Sequence, residues 1–450
     1  MGTLAARPHA ANAADWPRVA GLRLAAVRTG LNVDEAREAI LSVTPVLGAE
    51  TVPARDAQGR VLAEAVASTR TLPPADCSAM DGYAVVRSDL AGASSQRPVS
   101  LPLAFEVPAG ARADRSLSPG SCARIFTGAP VPPGADAVVR QEDTEAEGEA
   151  VRFLVEPEPR DHVRDAGEDL RAGDRVLEPG TVLRSAQLGL LASLGRSVVA
   201  VHQRPRVAIL SGGDELVEPD GDPEGHRIVS SNSYTLAAQC RELGAEPVYL
   251  GIARDDPDDI ESHLRAGLRS DCIVSSAGVS VGDHDHVRPV LEKLGCTLDF
   301  WGVNMKPGYP LAFGGFGDDP NDRRPLVFGL PGNPVSASVT FEQFVRPALR
   351  KMMGYRTLFR PTVRARLAED LTKKAGRLHF VRVKLERERE GDGGLVASST
   401  GNQSSGVLTS LCVAQGLLVF GADETRLEAG QSVVVQVLDD DVFGGQSAGF

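Results

Sequence analysis

The chain lacks several features that define common functional classes. Its 450 residues contain no apolar run approaching the roughly 18 residues of a transmembrane helix. No block of lysine and arginine is present to bind along a nucleic-acid backbone. The first 25 residues, rich in alanine and arginine, lack the compact apolar core of a signal peptide. These absences favour a protein that binds neither membrane nor nucleic acid.

Paired cysteines and the common nucleotide-binding motifs are also missing. The six cysteines are scattered, none in a CxxC pair, and most lie in apolar contexts. This pattern predicts reduced thiols and a cytoplasmic location. Neither G-x-x-x-x-G-K-[ST] nor a strand-following G-x-G-x-x-G occurs. A P-loop hydrolase and a standard dinucleotide site are therefore not predicted.

Acidic residues outnumber basic ones, 60 against 48, for a formal charge of −12. The overall field of such a protein repels anions. An anionic ligand would therefore need a local positive site, built from a few lysines or arginines and helix N-termini. A small-molecule ligand is favoured over nucleic acid.

A chain of this length can bury several cores, and its patterns predict an α/β multidomain protein. Short β-type runs broken by Pro and Gly, alternating strands and helices, and a final β-type region predict different parts of the fold. The predicted parts are a disordered extension at 1–26, a helical connector at 27–50 and 157–203, a small β-rich domain at 51–156, a central open α/β sheet at 204–354, and a small C-terminal β-barrel at 358–450.

Three local patterns make this scheme specific. Helical spacing predicts a first helix over 31–46, begun by a capping box of Asn32 and Glu35. The alternation in the central domain predicts an open parallel sheet with both faces covered. Its last helix, over 335–352, should be kinked by Pro347.

Four polar, glycine-rich loops follow predicted strands of the central domain. They are Ser211-Gly-Gly213-Asp214-Glu215, Ser276-Ala-Gly278-Val-Ser280-Val-Gly282-Asp-His284-Asp285-His286, Lys306-Pro-Gly308, and Leu330-Pro331-Gly-Asn333-Pro334. In open α/β sheets, ligands collect at the carboxyl ends of the strands. Glycines let backbone N–H groups approach an anion, and carboxylates supply the oxygen ligands that Mg²⁺ prefers. Together the loops predict a phosphate-plus-metal site, although any single loop could be only a tight turn.

Two other interpretations of the second loop are weaker. Gly278-Val-Ser280-Val-Gly282 matches the G-x-S-x-G nucleophile elbow of α/β-hydrolases. A hydrolase also needs a downstream acid and histidine, and beyond residue 286 only His379 is available, in a different predicted domain. His284 and His286 could bind Zn²⁺, but no third ligand has suitable spacing.

The β-rich domain carries two further motifs, Ser78-Ala-Met-Asp81-Gly-Tyr-Ala84 and Thr127-Gly-Ala-Pro130. Loop closure could account for both. Together with Gly167-Glu-Asp169 and the loops above, however, they closely resemble the molybdopterin molybdenumtransferases, called MoeA in bacteria and the E domain of gephyrin in animals. The resemblance extends over about residues 31–437 and implies that the central sheet is of the molybdopterin-binding type.

The resemblance implies insertion of molybdate into the dithiolene of adenylylated molybdopterin, with Mg²⁺-dependent release of AMP. It also implies a homodimer whose active site combines both subunits. An upstream molybdopterin adenylyltransferase and downstream molybdoenzymes would be functional partners.

The same resemblance implies roles for individual residues. The implied catalytic residues are Asp81, Thr127, Asp169, Glu215, Asp285 and Lys306. The implied substrate-binding residues are Gly213, Ser276, Gly278, Ser280, Gly282, Pro331, Asn333, Pro334, Arg377 and Ser405. The implied Mg²⁺ ligands are Asp214, Glu215 and Asp285.

Two positions depart from the family pattern. Ser230 stands where an acidic residue is common, and Tyr309 stands where the family often has a second lysine, in Lys-Pro-Gly-Lys. Loss of a carboxylate should weaken metal binding, and loss of a cation should weaken oxyanion binding, each by about 1–3 kcal/mol. A catalytically weakened pterin-binding paralogue or scaffold, and a tungstate-specific insertase, are therefore alternatives.

Overall fold

The computed structural model describes residues 27–112, 114–276, 286–316, 325–388 and 394–444. These residues form two compact units. Unit 2 consists of Glu64–Pro179 and Ser185–Val198, and unit 1 of the described residues within Met1–Ala63, Gly180–Arg184 and Val199–Phe450. The predicted extension at 1–26 lies outside the described residues, and the finer domain boundaries stay a prediction. No helix in the described ranges is long and apolar enough to cross a membrane.

The strands are numbered along the chain. Those before residue 205 are β1 Arg28–Leu31, β2 Ala49–Pro53, β3 Val66–Ala67, β4 Cys77–Ser78, β5 Gly82–Val85, β6 Val99–Val107, β7 Cys122–Ile125, β8 Ala137–Arg140, β9 Thr144–Glu147, β10 Ala150–Phe153, β11 Val163–Arg164, β12 Arg175–Leu177 and β13 Val198–His202. Those after it are β14 Arg206–Gly212, β15 Leu216–Val217, β16 Ile228–Val229, β17 Glu246–Ala253, β18 Cys272–Ser276, β19 Cys296–Val303, β20 Met305–Lys306, β21 Ala312–Phe316, β22 Leu326–Leu330, β23 Thr362–Leu367, β24 Leu371–Thr372, β25 Leu378–Arg387, β26 Leu395–Ser399, β27 Gly416–Phe420, β28 Arg426–Leu427 and β29 Ser432–Val437.

The helices are numbered in the same way. They are α1 Val33–Val43, α2 Ser185–Ser193, α3 Asn232–Leu243, α4 Pro257–Gly267, α5 Val287–Lys293, α6 Pro334–Thr340, α7 Arg346–Met352 and α8 Thr409–Cys412. A π-helical turn, Phe341–Val345, joins α6 to α7, and short 3₁₀ turns lie at Ala54–Asp56, Arg87–Leu90, Gln141–Asp143 and Asp440–Phe443.

The predicted capping box of α1 is confirmed. The Asn32 side chain accepts from the amides of Asp34 and Glu35 at 3.0 and 2.9 Å, and the Glu35 carboxylate accepts from the Asn32 amide at 2.8 Å. The helix begins at Val33 rather than Leu31, because Leu31 ends β1, which pairs in parallel with β19. Four residues without a strand-like period gave no sequence signal for β1.

The central sheet of unit 1 is mixed rather than parallel. Among the described residues its order is β1-β19-β21-β22-β18-β14-β17, and β21 runs antiparallel to both neighbours. The prediction of a parallel sheet was therefore wrong for β21. The connection from β19 to β21 runs only from residue 304 to residue 311. That is shorter than the dozen or so residues that a parallel crossover needs.

Apolar layers cover both faces of this sheet, as predicted. One layer packs α1, α3, α6 and α7 against strand residues that include Phe300, Phe313 and Phe328. The other packs α4 and α5 against residues such as Leu210 and Val327. Burial on both faces explains why the central strands read as continuous apolar runs.

The helix that follows β22 is irregular where a kink was predicted. It widens into the π turn Phe341–Val345 immediately before Pro347. Proline lacks an amide hydrogen, and its ring displaces the carbonyl four residues earlier, here that of Gln343. A π turn is one way in which a helix accommodates this displacement.

The predicted C-terminal barrel is confirmed. Strands β25, β26, β23, β29 and β27 pair in that order, and β27 pairs with β25 to close the barrel. Its core is apolar and includes Val381, Val383, Leu418 and Val435. Strand β26 follows the acidic, glycine-rich segment 389–394 and was missed in the sequence because its polar serines gave a weak β signal.

Unit 2 is β-rich, as predicted. Within its described residues a mixed sheet has the order β8-β5-β7-β6-β10-β9. Two apolar clusters form its core, one around Val85, Leu90 and Phe153 and the other around Val107, Ile125 and Val138. The short strand β5 lies between β7 and β8, which fixes the turn at Asp81 immediately before it.

A buried ion pair joins the barrel to the helical layer of unit 1. Glu342, only 7% exposed, accepts from the guanidinium of Arg360 at 2.8 and 3.2 Å. Arg346 approaches the same carboxylate at 3.5 Å, and Arg360 also donates to the carbonyl of Leu438 at 2.9 Å. One carboxylate thus compensates two largely buried guanidinium groups.

We expect Glu342→Gln to lower the free energy of unfolding by about 3 kcal/mol, because it leaves buried cations without their counter-charge. The melting temperature of the purified variant would measure this loss. Glu386→Gln is the matched control, since Glu386 is exposed on β25, and it should change stability by less than about 0.5 kcal/mol. Equal melting temperatures for the two variants would contradict the assignment.

Candidate active site

Three predicted loops begin at one edge of the central sheet. In the register of the parallel strands, Ser211 of β14 lies beside Ser276 of β18, and Ser276 lies beside Leu330 of β22. The carboxyl ends of these strands are therefore level. The residues that follow Ser211 and Leu330 thus emerge at the same edge of the sheet, on either side of β18.

The first loop forms one side of a polar cleft of about 640 Å³. The cleft is lined by residues that include Gly213, Asp214, Arg227, Arg254 and Asp255. The amide of Asp214 donates to the Asp255 carboxylate at 3.5 Å, and the amide of Asp255 donates to that of Asp214 at 3.3 Å. This reciprocal pairing fixes the Asp214 carboxylate at the cleft.

Gly213 is a position at which the backbone requires glycine. Its φ is +137°, and a Cβ there would collide with the Glu215 carboxylate, which folds back over it. The Gly213 amide donates to the carbonyl of Ala253 at 3.1 Å. The turn therefore holds Glu215 against the backbone next to Asp214.

Ser230 occupies a neutral hydroxyl cluster. Its side chain, on a residue only 2% exposed, lies 3.2 Å from the Ser211 hydroxyl and 3.3 Å from that of Ser233. A carboxylate here would lose its solvation without gaining a cation among these partners. The departure from the family pattern is thus accommodated by hydrogen bonding between hydroxyl groups.

The loop Pro331–Pro334 is anchored on both sides. The Asn232 amide group donates to the carbonyl of Gly332 at 2.7 Å. The amide of Val335 donates to the carbonyl of Ser405 at 3.1 Å. Pro331 is buried, whereas Asn333 is exposed directly before Pro334, the first residue of α6. Ser405 of the barrel is therefore joined to the sheet-edge loop.

Lys306 and Arg377 are brought together by a short strand pairing. Met305 and Lys306 of β20 pair in parallel with Leu378 and His379 of β25. Arg377 directly precedes β25, and both cationic side chains are exposed. The sequence places these cations 71 positions apart, and the fold joins them.

Further positive groups surround His379, a residue whose place near the site is not apparent from the sequence. His379 is 6% exposed, and neither ring nitrogen has a hydrogen-bond partner among the described residues. Burial, together with the charges of Lys306, Arg382 and Lys373, lowers its pKa to about 4. The imidazole is therefore neutral at pH 7, and the lysines and arginines carry the local charge.

Arg382 organises the loop that contains Ser405. It is fully buried and donates to the Ser410 hydroxyl at 2.8 Å and to the carbonyls of Asn402 and Ser404 at 3.1 and 3.2 Å. Its amide also donates to the Gln403 side chain at 2.9 Å. An arginine in the middle of an apolar strand pattern was the only sequence signal for this role.

In unit 2, Asp81 and Thr127 are in direct contact. One carboxylate oxygen of Asp81 accepts from both the amide and the hydroxyl of Thr127 at 2.8 Å. These two bonds, with the nearby charge of Arg124, lower the pKa of Asp81. Asp81 is therefore an exposed, ionised carboxylate. Asp169 lies in another turn of unit 2, where its amide donates to the carbonyl of Leu72 at 3.0 Å.

Four predicted site residues, Gly278, Ser280, Gly282 and Asp285, lie outside the described residues. Within the described ranges, no group of three or more His, Cys, Asp or Glu side chains could hold a metal ion. The Asp214 and Glu215 pair nevertheless suits Mg²⁺, which is commonly held by one or two carboxylates together with substrate phosphates and water.

Fold and site together define a multidomain α/β protein with polar loops at one edge of its central sheet, and three family profiles identify it further. The MoeA N-terminal region (domain I and II) matches residues 31–195, the probable molybdopterin binding domain matches 208–351, and the MoeA C-terminal region (domain IV) matches 364–438. The chain belongs to the MoeA family of molybdopterin molybdenumtransferases.

Characterised relatives match most of the chain. The molybdopterin molybdenumtransferase of Nostoc sp. is 38% identical over 417 residues, covering 90% of this chain and 93% of the relative. Molybdopterin molybdenumtransferase 2 of Mycobacterium tuberculosis is 39% identical, covering 86% and 94%. That of Haemophilus influenzae is 35% identical, covering 90% and 98%.

Solved structures are similar over the same length. The molybdopterin biosynthesis MoeA protein of Pyrococcus horikoshii OT3 superposes with a TM-score of 0.76 at 30% identity, covering 91% of this chain and all of that one. A molybdenum cofactor biosynthesis protein from Pyrococcus furiosus has a TM-score of 0.55 at 23% identity, covering 91% and 99%, which shows a shared fold.

We expect acidification to destabilise the protein through His379. Its folded pKa of about 4 lies below the unfolded value of roughly 6.5, so the unfolded chain binds the proton first. This contribution to stability is complete above pH 6.5 and is lost as the pH falls towards 4. At pH 5 the loss should be about 2 kcal/mol.

His379→Phe removes this titration, so its melting temperature should fall less than that of the unaltered chain between pH 7 and pH 5. His226→Gln, at an exposed histidine, should behave like the unaltered chain. Parallel acid profiles for all three proteins would show that His379 is not held neutral by burial.

Proposed function

We propose that this chain is a molybdopterin molybdenumtransferase that inserts molybdate into the dithiolene of adenylylated molybdopterin and releases AMP. The observation that carries the proposal is the β20–β25 pairing, which joins Lys306 to Arg377 beside the loops of the sheet edge. The names of the relatives at 35–39% identity support transfer of molybdenum to molybdopterin.

Lys306 and Arg377 are suited to bind molybdate. Molybdate is a tetrahedral dianion, and charge-assisted hydrogen bonds from lysine and arginine are among the strongest that a protein offers such a ligand. In a protein of net charge −12, two exposed cations on adjoining segments form a local positive region. Ser405 and the backbone next to Asn333, joined through Val335, would contact the remaining oxygens.

The loop at Gly213 is suited to the phosphate groups of the adenylylated pterin. Its backbone can approach an anion closely because Gly213 carries no side chain. Mg²⁺ held by Asp214 and Glu215, and by Asp285 as the resemblance implies, would supply positive charge to the phosphoanhydride and favour release of AMP. Ser276 and the loop bearing Gly278, Ser280 and Gly282 would complete the phosphate side.

The proposal assigns a polar role to Asp81, Thr127 and Asp169 in unit 2. Asp81 is ionised and held by Thr127, so it can accept a proton or a hydrogen bond from a substrate group.

We also propose, as the resemblance implies, that the chain acts as a homodimer. Pro331 and Pro334 would shape the sheet-edge loop on which the substrate binds.

A second candidate is a pterin-binding paralogue with weakened turnover. Two observations favour it: Ser230 provides a neutral hydroxyl in place of a carboxylate, and Tyr309 provides no charge in place of a lysine. Both candidates bind the pterin, and only the first forms product. Tungstate has the same shape and charge as molybdate, so it would be bound by the same groups.

Release of AMP from adenylylated molybdopterin, measured with and without molybdate in the presence of Mg²⁺, tests the proposal. The unaltered chain should release AMP faster with molybdate and form metal-loaded cofactor. Lys306→Met should lower the molybdate-stimulated rate about 10- to 100-fold, because hydrogen bonds to charged groups contribute about 1.5–3 kcal/mol. Lys384→Met, at an exposed lysine on the far part of β25, should have no effect.

The alternatives give different results in this assay. Tight binding of the pterin without AMP release or loaded cofactor would favour the paralogue. Faster turnover with tungstate than with molybdate would identify a tungstate insertase. Failure to bind the adenylylated pterin at all would contradict the proposed function.

A further inference from the structure

The ring of Tyr309 packs against Arg377, one of the two side chains proposed to bind the oxyanion. The guanidinium carbon of Arg377 lies 4.4 Å from the centre of the Tyr309 ring. The two residues come from different segments, the β19–β21 connection and the residue before β25. Arg377 is exposed, so the tyrosine ring is a main support for its guanidinium group.

The ring itself is held in place from two other sides. Its centre lies 5.6 Å from that of Trp301, in an edge-to-face arrangement with an interplanar angle of 82°. Gly302, with φ of +82°, leaves room beneath it, and a Cβ at that position would lie 3.2 Å from ring atoms of Tyr309. The glycine thus allows the ring to pack against the backbone.

The backbone of Tyr309 is equally constrained. Its carbonyl accepts from the amides of Val303 and Leu311 at 2.9 and 2.8 Å. The amide of Gly302 donates to the carbonyl of Leu311 at 2.8 Å, which closes the connection around Lys306. Tyr309 is therefore a rigid platform on the same short loop that carries the lysine.

The contact with Tyr309 leaves the donors of Arg377 available. A guanidinium group carries five N–H donors in one plane. An aromatic ring orders the group through a cation–π contact, and the N–H groups can still donate hydrogen bonds to a ligand. An unsupported arginine also loses about 2 kcal/mol of rotamer entropy when it is fixed, and a ring that already orders the side chain reduces this loss.

We propose that Tyr309 is a positioning residue of the oxyanion site, whose ring orders the Arg377 guanidinium group for binding a tetrahedral oxyanion. The inference rests on the proposed function, in which Arg377 binds molybdate. The family often has a second lysine at the position of Tyr309. In this chain the tyrosine adds no charge there and instead orders Arg377. Tyr309 itself does not contact the ligand.

Binding of molybdate alone to the purified full chain, measured by isothermal titration calorimetry, tests the inference. Tyr309→Phe keeps the ring and should bind within about twofold of the unaltered chain. Tyr309→Leu removes the ring and should weaken binding about 3- to 10-fold, as expected for loss of a partly exposed cation–π contact. In an Arg377→Ala background, Tyr309→Leu should cause no further loss.

The salt dependence of molybdate binding distinguishes a residue that positions Arg377 from a residue that contributes charge. Tyr309→Leu changes no charge, so its loss of affinity should be the same at low and high salt, whereas the loss in Arg377→Ala should shrink as salt rises. Arg377→Lys keeps the charge but lacks the planar face, and it tests the same contact where Tyr309→Leu does not fold. It should weaken binding at least as much as Tyr309→Leu.

Three outcomes would overturn the inference: unchanged affinity in Tyr309→Leu, an equal loss in Tyr309→Phe, or an undiminished loss in the Arg377→Ala background. The last would show that the tyrosine acts independently of the arginine. Binding by the unaltered chain is the separate check on the proposed function. If that chain does not bind molybdate, the proposed function fails and the inference fails with it.

Discussion

The two-residue pairing between β20 and β25 is the contact on which the proposed site depends. Lys306 belongs to a loop of the central sheet, and Arg377 belongs to the barrel. The amide of Leu378 donates to the carbonyl of Asn304 at 3.1 Å, which extends the pairing by one more bond. The Glu342 and Arg360 ion pair and the bond from Val335 to Ser405 reinforce the same junction. Without the β20–β25 pairing, Lys306 and Arg377 would lie on separate parts of the fold.

Charge is distributed unevenly along the same edge of the sheet. The cleft after β14 is lined by both carboxylates, such as Asp214 and Asp255, and arginines, whereas only lysines and arginines contribute charge around His379 at the junction with the barrel. A buried histidine that stays neutral adds no repulsion to these cations. An acidic protein can in this way present a cation site and an anion site to one substrate.

Local features of the fold could be predicted from the sequence. The capping box at Asn32 and the β-type runs of the barrel depend on spacing within a few residues. The capping box and the closed barrel were confirmed, although β26 was missed. The orientation of β21 and the existence of β1 depend on which strands lie beside them. Such pairing is set by tertiary contacts that local periodicity does not encode.

For the site, too, some features could be predicted from the sequence and others are visible only in the structure. Lys306 and Arg377 could be named through the family resemblance, but their junction could not, because it depends on pairing between distant segments. Tyr309 was noted as a missing charge, and its ring contact with Arg377 is visible only in three dimensions. Arg382 and His379 were missed because burial, rather than residue type, determines what they do.

The position of bound molybdenum shows whether the β20–β25 junction binds the oxyanion. Crystals of the full chain grown with molybdate, with diffraction data collected at the molybdenum absorption edge, would locate it by anomalous scattering. We expect one main peak within hydrogen-bonding reach, through an oxygen ligand, of both the Lys306 amine and the Arg377 guanidinium. A main peak elsewhere, such as in the cleft lined by Asp214 and Arg254, would contradict it.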